Sequence, residues 1–193
     1  MTPTFAGLKY FETPFPHARI PGFIPPTDAD KILAWLATKA PWKLRIEDFY
    51  EQHEFSLLAS QLSHEIDDLV QSWFVERVRD EIRRLFRLQT ALELIDVNAH
   101  RLTIGQTIRI HNDFIAGEET HRLLVQLNSG WEPENGGLLM IFNSGQADDV
   151  NNVLLPRHGS AFAFEISPRS FHAVSQIKAG ERYTLVYSFR ANL

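Results

Sequence analysis

His111 and Asp113 stand two residues apart in Ile108-Arg109-Ile110-His111-Asn112-Asp113. On a regular strand, residues i and i+2 point to one face, so an imidazole and a carboxylate project together while Ile108 and Ile110 face the other way. Alone the pair says little: with 8 His in 193 residues, a His two places ahead of an Asp arises by chance about 0.4 times, the false-positive risk of any short motif. A metal site built on it needs a second imidazole from a distant segment. His172, in Ser170-Phe171-His172-Ala173-Val174 just after the Pro168-Arg169 turn, is the candidate; otherwise it is a buried structural histidine. Two imidazoles and a carboxylate on one side of an octahedron leave three positions open, the donor set of a mononuclear non-haem iron.

The segment after His172 adds an anion site. In Arg182-Tyr183-Thr184-Leu185-Val186-Tyr187-Ser188-Phe189 alternation separates an aromatic and aliphatic face (Tyr183, Leu185, Tyr187, Phe189) from Arg182, Thr184, Val186 and Ser188. The first suits packing against helices, so Arg182 and Thr184 look into the interior. A lone guanidinium there is costly unless an anion pairs with it. A carboxylate matches its planar fork, and the Thr184 hydroxyl adds a donor beside it.

Other chemistries find no support. The chain has no cysteine, which removes disulfide frameworks, thiolate metal sites and cysteine nucleophiles. It carries no Gly-x-Ser-x-Gly elbow, phosphate-binding glycine loop or dinucleotide fingerprint. His17, His53, His64, His100, His121 and His158 have no second ligand at metal spacing and are read as solvent-facing or structural. A formal charge of -5 gives no attraction to nucleic acid or anionic membrane. With neither a leader pattern nor a long apolar run, the chain reads as cytoplasmic, without a membrane partner.

The elements that must position these residues follow from periodicity. Six prolines within the first 26 residues predict extended or irregular chain with one short strand near His17 to Ile20. Thr27-Asp28-Ala29-Asp30 offers an N-cap for a helix running to Lys39-Ala40-Pro41, and Ser63 to Leu88 has apolar residues at intervals of three or four, as a long helix does. From about Ala91 the pattern changes to short apolar or alternating runs: Glu93 to Leu102, Gln106 to Asp113, Arg122 to Leu127, Gly137 to Phe142, Asn152 to Leu155, Ser160 to Phe164, Phe171 to Ser175 and Arg182 to Phe189. The expectation is an α+β fold, one domain over residues 1–193. Its core is a double-stranded β-helix, or jelly roll, of about eight strands at about 91–190, with a helical buttress at about 27–90 packed on one sheet.

From about Arg101 to Phe189 the sequence resembles the Fe(II)- and 2-oxoglutarate-dependent dioxygenases, in the branch similar to prolyl 4-hydroxylases. The resemblance is carried by order and spacing together: His111-Asn112-Asp113, Gln126-Leu127-Asn128, Gly136-Gly137-Leu138-Leu139, Pro156-Arg157-His158-Gly159-Ser160, His172, and Arg182 ten residues beyond it. It departs where prolyl hydroxylases of this type often carry tyrosines, with Leu102 and Gln126 in those places; Gln126 can still donate an amide hydrogen bond to a carboxylate.

The resemblance implies Fe(II) held by His111, Asp113 and His172, and 2-oxoglutarate with its distal carboxylate on Arg182 and Thr184 beside Gln126. With O2 as co-reactant it implies hydroxylation of an unactivated C–H with release of succinate and CO2. The substrate it implies is a peptidyl residue, prolyl by analogy, or a small amino-acid-like metabolite. The alternative is a jelly roll that binds metal or a small anion without turnover. Arg109 shares parity with His111 and either binds a substrate carboxylate or extends outward at the rim; Arg122 either does the same or pairs with a neighbouring acid. Trp131, beside the Gly-Gly turn, either lines the entrance or packs.

Overall fold

The structure is a computed structural model, and it describes residues 1–191. Its proline-rich start forms two short antiparallel strands, β1 (Lys9–Phe11) and β2 (His17–Ile20). Helix α1 (Pro26–Thr38) begins on a proline, whose missing N–H costs nothing in a first turn, and buries Ala29, Ile32, Trp35 and Leu36. Helix α2 (Ser72–Leu85) buries Phe74, Val75, Val78 and Ile82 and places Arg83 and Arg84 in its last turn, where the helix dipole favours cations.

Two departures from the sequence reading lie in this half. The expected long helix from Ser63 is a short 3-10 turn, Asp67–Val70, separated from α2 by the extended backbone of Gln71. Apolar spacing of three is shared by 3-10 and α turns, so periodicity did not separate them. Between the helices lies a hairpin, β3 (Lys43–Glu47) and β4 (Tyr50–Ser56), within the stretch assigned to the helical buttress, where no strand was expected. Every residue of β3 is exposed, although Lys43-Leu44-Arg45-Ile46-Glu47 alternates polar and apolar residues as a strand does.

The remaining strands are β5 (Leu92–Leu102), β6 (Ile108–His111), β7 (His121–Gln126), β8 (Leu139–Phe142), β9 (Val150–Leu154), β10 (Ala161–Glu165), β11 (His172–Val174) and β12 (Arg182–Ala191). All pairings are antiparallel in the order β1-β2-β10-β7-β12-β5-β4-β6-β11-β8-β9, with β3 beside β4. The fold is thus mostly β, with twelve strands among the described residues, eight of which, β5 to β12, lie in the C-terminal stretch and four before it. The sheet curls on itself: Phe162 and Phe164 of β10 pack with Leu139 and Ile141 of β8, far along the strand order.

The larger core lies on the outer face of one layer. There Ile32, Trp35, Leu36, Phe74, Val78 and Ile82 of the helices meet Val97, Leu123, Val125, Leu185, Tyr187 and Phe189 of β5, β7 and β12. Tyr187 is fully buried and its Oη donates to the Leu69 carbonyl at 2.9 Å, fixing the 3-10 turn to the sheet. With that face of β12 committed to the helices, alternation turns Arg182 and Thr184 into the curled interior. Among the described residues, no helix is long and apolar enough to cross a membrane.

Candidate metal centre

The antiparallel pairing of β6 with β11 sets His111 directly opposite His172, with ring centroids 4.2 Å apart. Each ring is oriented by its own backbone. His111 Nδ1 lies 2.8 Å from the Arg109 carbonyl and His172 Nδ1 2.8 Å from that of Ser170, contacts that suit an Nδ1–H donor. The proton is then on Nδ1, and both Nε2 lone pairs face the interior.

Asp113 completes the group by a route that strand parity does not describe. Strand β6 ends at His111, and Asp113 adopts φ 61°, a left-handed conformation that turns its carboxylate back between the rings. Oδ1 lies 3.4 Å from His111 Nε2 and Oδ2 3.3 Å from His172 Nε2. All three donor atoms lie within 4.8 Å of one another; cis ligands at about 2.1 Å from one ion would stand about 3 Å apart. Asp113 Oδ2 is buried without a hydrogen-bond partner, an expensive state for a carboxylate oxygen unless a cation meets it. Burial pushes the carboxyl up, but the Arg122 guanidinium and then the two imidazoles outweigh it and hold Asp113 well below the usual carboxylate range. The donor set, its spacing and the orphaned oxygen fit a divalent cation with open positions.

The same cavity holds a candidate anion site. Arg182 is 4% exposed, and among the described residues no carboxylate pairs with it. Burial lowers its guanidinium to about 10. Its Nη1 donates to Thr184 Oγ1 at 2.8 Å, and that hydroxyl donates to Gln126 Oε1 at 3.1 Å. Arg182 Nε and Gln126 Nε2 are buried without partners. The Gly-Gly turn makes room: Gly137 has φ 63°, and a Cβ on it would stand 2.9 Å from Cδ of Arg182. A cavity of about 660 Å³ joins the two sites, lined by His111, Asp113 and His172, by Arg182 and Thr184, and by the underside of the β3–β4 hairpin.

The remaining residues marked by the sequence divide. Arg122 lines the cavity and pairs with acids: its Nη1 lies 2.7 Å from Asp113 Oδ1 and its Nε donates to Glu119 Oε2 at 2.7 Å. Arg109 is exposed and donates to the Asp48 carbonyl, outside the cavity. The cause is a bulge: His172 pairs with His111 but Val174 pairs with Ile108, so β6 spans three residue steps against two on β11. The extra residue shifts the alternation, and Ile108, expected on the opposite face, lines the cavity instead of Arg109. Trp131 packs rather than lining the mouth, its Nε1 donating to the Gly136 carbonyl at 2.9 Å and its ring lying against Gly137 and Gly180.

Sequence reasoning missed His100 and the hairpin residues Tyr50, Gln52 and Glu54. His100, read as solvent-facing or structural, lines the cavity directly across the sheet from Thr184. Burial lowers its imidazole to about 4, so it is neutral near pH 7. Its signal was present, since His100 and Leu102 share parity on one strand.

Comparison with known proteins agrees with this geometry. The family model of the 2OG-Fe(II) oxygenase superfamily matches residues 97–190, a stretch that begins in β5 and includes His111, Asp113 and His172, Gln126 and Arg182. A prolyl 3-hydroxylase of Xenopus laevis is 25% identical over 179 residues, 90% of this chain and 34% of that protein; the Mus musculus counterpart is 24% identical over 181 residues, 91% and 32%. The chain thus spans about a third of the length of these curated relatives. Among solved structures, a Pseudomonas putida prolyl-4-hydroxylase superposes with a TM-score of 0.75 at 19% identity, over 92% of this chain and 93% of that one. A Trichoplax adhaerens prolyl hydroxylase in complex with a hypoxia inducible factor oxygen degradation domain peptide fragment gives 0.70 at 11% identity, over 91% and 83%. At these identities the structures speak for the fold.

Proposed function

We propose that this chain, a 2OG-Fe(II) oxygenase of prolyl hydroxylase-like type, hydroxylates an unactivated C–H of a peptidyl residue, prolyl or similar. One observation carries the reading: a buried, unpaired guanidinium with neighbouring amide and hydroxyl groups opens into the same cavity as a His-Asp-His donor set. That pairing answers to a dicarboxylate bridging metal and arginine.

In this reading His111, Asp113 and His172 hold Fe(II), and Arg182 with Thr184 and Gln126 takes the distal carboxylate of 2-oxoglutarate. Fe(II) bound there, with 2-oxoglutarate and O2, supplies the oxidising power for hydroxylation and is accompanied by release of succinate and CO2. The protein's own residues perform binding and exclusion. The Arg109 and Ser170 carbonyls keep both imidazoles in one tautomer. The aromatic and aliphatic groups of Phe49, Tyr50, Ile108, Leu139 and Val174 exclude water beside polar groups that orient the guest. A peptide is favoured as substrate because one structural neighbour holds a peptide fragment and the curated relatives are named prolyl 3-hydroxylases. The reading extends to one oxygenase domain over residues 1–193, since α1, α2 and the sheet share one core cluster.

Anaerobic addition of Fe(II) and 2-oxoglutarate should produce the weak visible charge-transfer band of the chelate. With O2, succinate should form slowly alone and faster with the correct peptide. A band that survives Asp113→Ala at unchanged affinity would overturn the metal assignment. Formation of no succinate with any peptide or metabolite pool would leave a binding module as the better account.

A further inference from the structure

We propose that Arg122 is a positioning residue that ties up Oδ1 of Asp113, so that the carboxylate meets the metal through Oδ2 alone. The inference rests on the Fe(II) site proposed above and assigns a residue outside the ligand set a part in shaping it.

The two oxygens of Asp113 have different surroundings. Oδ1 faces the Arg122 guanidinium at 2.7 Å, the closest charged contact the carboxylate makes. Oδ2 is buried, 3.3 Å from His172 Nε2 and without a hydrogen-bond donor. A guanidinium nitrogen at that distance engages one oxygen strongly and competes with a cation for it, leaving the other as the available ligand.

Arg122 is itself held in place. It lies on β7, where His121 and Leu123 of alternate parity are buried in the outer layer, so its side chain enters the cavity. Its Nε donates to Glu119 Oε2 at 2.7 Å, three residues back. Glu119, Arg122 and Asp113 therefore form a chain of two charge-assisted contacts. The pinning has work to do because Asp113 sits in a loop beyond the end of β6, with φ 61°, and lacks the ladder hydrogen bonds that fix a strand residue. Without Arg122, both oxygens face the metal and the carboxylate can chelate through the pair. Chelation takes a fourth position and leaves two open; 2-oxoglutarate needs two and O2 a third. One-oxygen binding keeps all three.

The test is Fe(II) and 2-oxoglutarate binding under anaerobic conditions, read by calorimetry and by the visible band with 2-oxoglutarate, on protein whose fold is checked by circular dichroism. Arg122→Met should shift the band and weaken 2-oxoglutarate binding to the Fe(II) protein roughly tenfold to a hundredfold, the usual scale for losing a group that orients a ligand. Arg122→Lys, which keeps one cationic donor for Oδ1, should recover most of the affinity and the band position. Glu119→Gln should weaken 2-oxoglutarate binding severalfold with Arg122 intact, and it decides the matter if the methionine variant does not fold. If all folded variants bind Fe(II) and 2-oxoglutarate as the unmodified protein does, with the same band, Arg122 does not position Asp113. A rise only in the KM for peptide, with Fe(II) affinity and band unchanged, would instead make Arg122 a substrate contact and also overturn the proposal. No band from the unmodified protein would take down the Fe(II) reading itself, an outcome distinct from a normal band that ignores Arg122.

Discussion

Gly137 and Arg182 are in mutual close approach: a Cβ on Gly137 would lie 2.9 Å from Cδ of the arginine and 2.6 Å from Cδ1 of Ile177. The glycine therefore leaves the path along which the buried guanidinium reaches the cavity. Its φ of 63° adds a second reason for glycine, since other residues adopt that region at a cost. Gly137→Ala is expected to destabilise the fold by roughly 1–3 kcal/mol and to weaken 2-oxoglutarate binding beyond that loss. Thermal melts set beside anaerobic 2-oxoglutarate titrations separate the two. Unchanged affinity in the folded variant would show that the Arg182 stem is not held by this contact.

Arg182 itself offers a sharper discrimination. Burial without an anion lowers its guanidinium to about 10, so an arriving carboxylate is met by a charge that no carboxylate among the described residues pairs with. Saturating 2-oxoglutarate, at a hundred times its dissociation constant, should stabilise the Fe(II) protein by roughly 2.7 kcal/mol. In Arg182→Met that stabilisation should vanish while Fe(II) binding remains. An undiminished thermal shift in Arg182→Met would move the anion site elsewhere in the cavity.

How far the sequence carried this picture depended on whether each residue's neighbours obeyed a period. Arg182 and Thr184 were legible because β12 alternates without interruption through the face that packs on the helices. His111 and His172 were legible as residue types in order, though the agent that brings them together, the antiparallel β6–β11 pairing, was not. Arg109 failed on the β6 bulge and Asp113 reached its place through a left-handed residue, both irregularities invisible to a period of two. The hairpin was not read although Lys43-Leu44-Arg45-Ile46-Glu47 alternates as a strand does; β3 is exposed throughout and carries Leu44 and Ile46 into solvent, so no core face supports that alternation. His100 has no second ligand at metal spacing along the chain, and its place at the cavity comes from a cross-strand neighbour, Thr184, which spacing does not show.

Stability should fall with acid in a way that His121 reports. This histidine is 3% exposed, and burial lowers it from 6.5 to about 4. Between those values the unfolded chain binds a proton that the folded chain does not, so folding stability rises with pH there and is lost as pH drops from about 6.5 toward 4. The full loss from this group is roughly 3 kcal/mol. In His121→Leu the slope of unfolding free energy against pH should diminish by up to one proton across that window. An unchanged slope in urea titrations at pH 4.5, 5.5 and 6.5 would show that His121 is solvated or partnered when protonated.

The wall that sequence reasoning overlooked should govern the size of the guest more than the metal. His100 faces Thr184 on one side and Glu54 of the hairpin on the other, with its Nε2 3.9 Å from Glu54 Oε2, too far for a hydrogen bond. The imidazole therefore borders the cavity as a neutral group with free hydrogen-bonding capacity, next to the Arg182 and Thr184 donors. His100→Phe enlarges the ring and removes that capacity without touching His111, Asp113 or His172. Affinity for 2-oxoglutarate should fall about tenfold, equivalent to about one lost hydrogen bond, while Fe(II) affinity stays within twofold. Equal losses for both ligands would mean that His100 acts through the fold of the cavity as a whole. No loss for either would mean that the guest does not extend to β5, and that Arg182, Thr184 and Gln126 complete its binding alone.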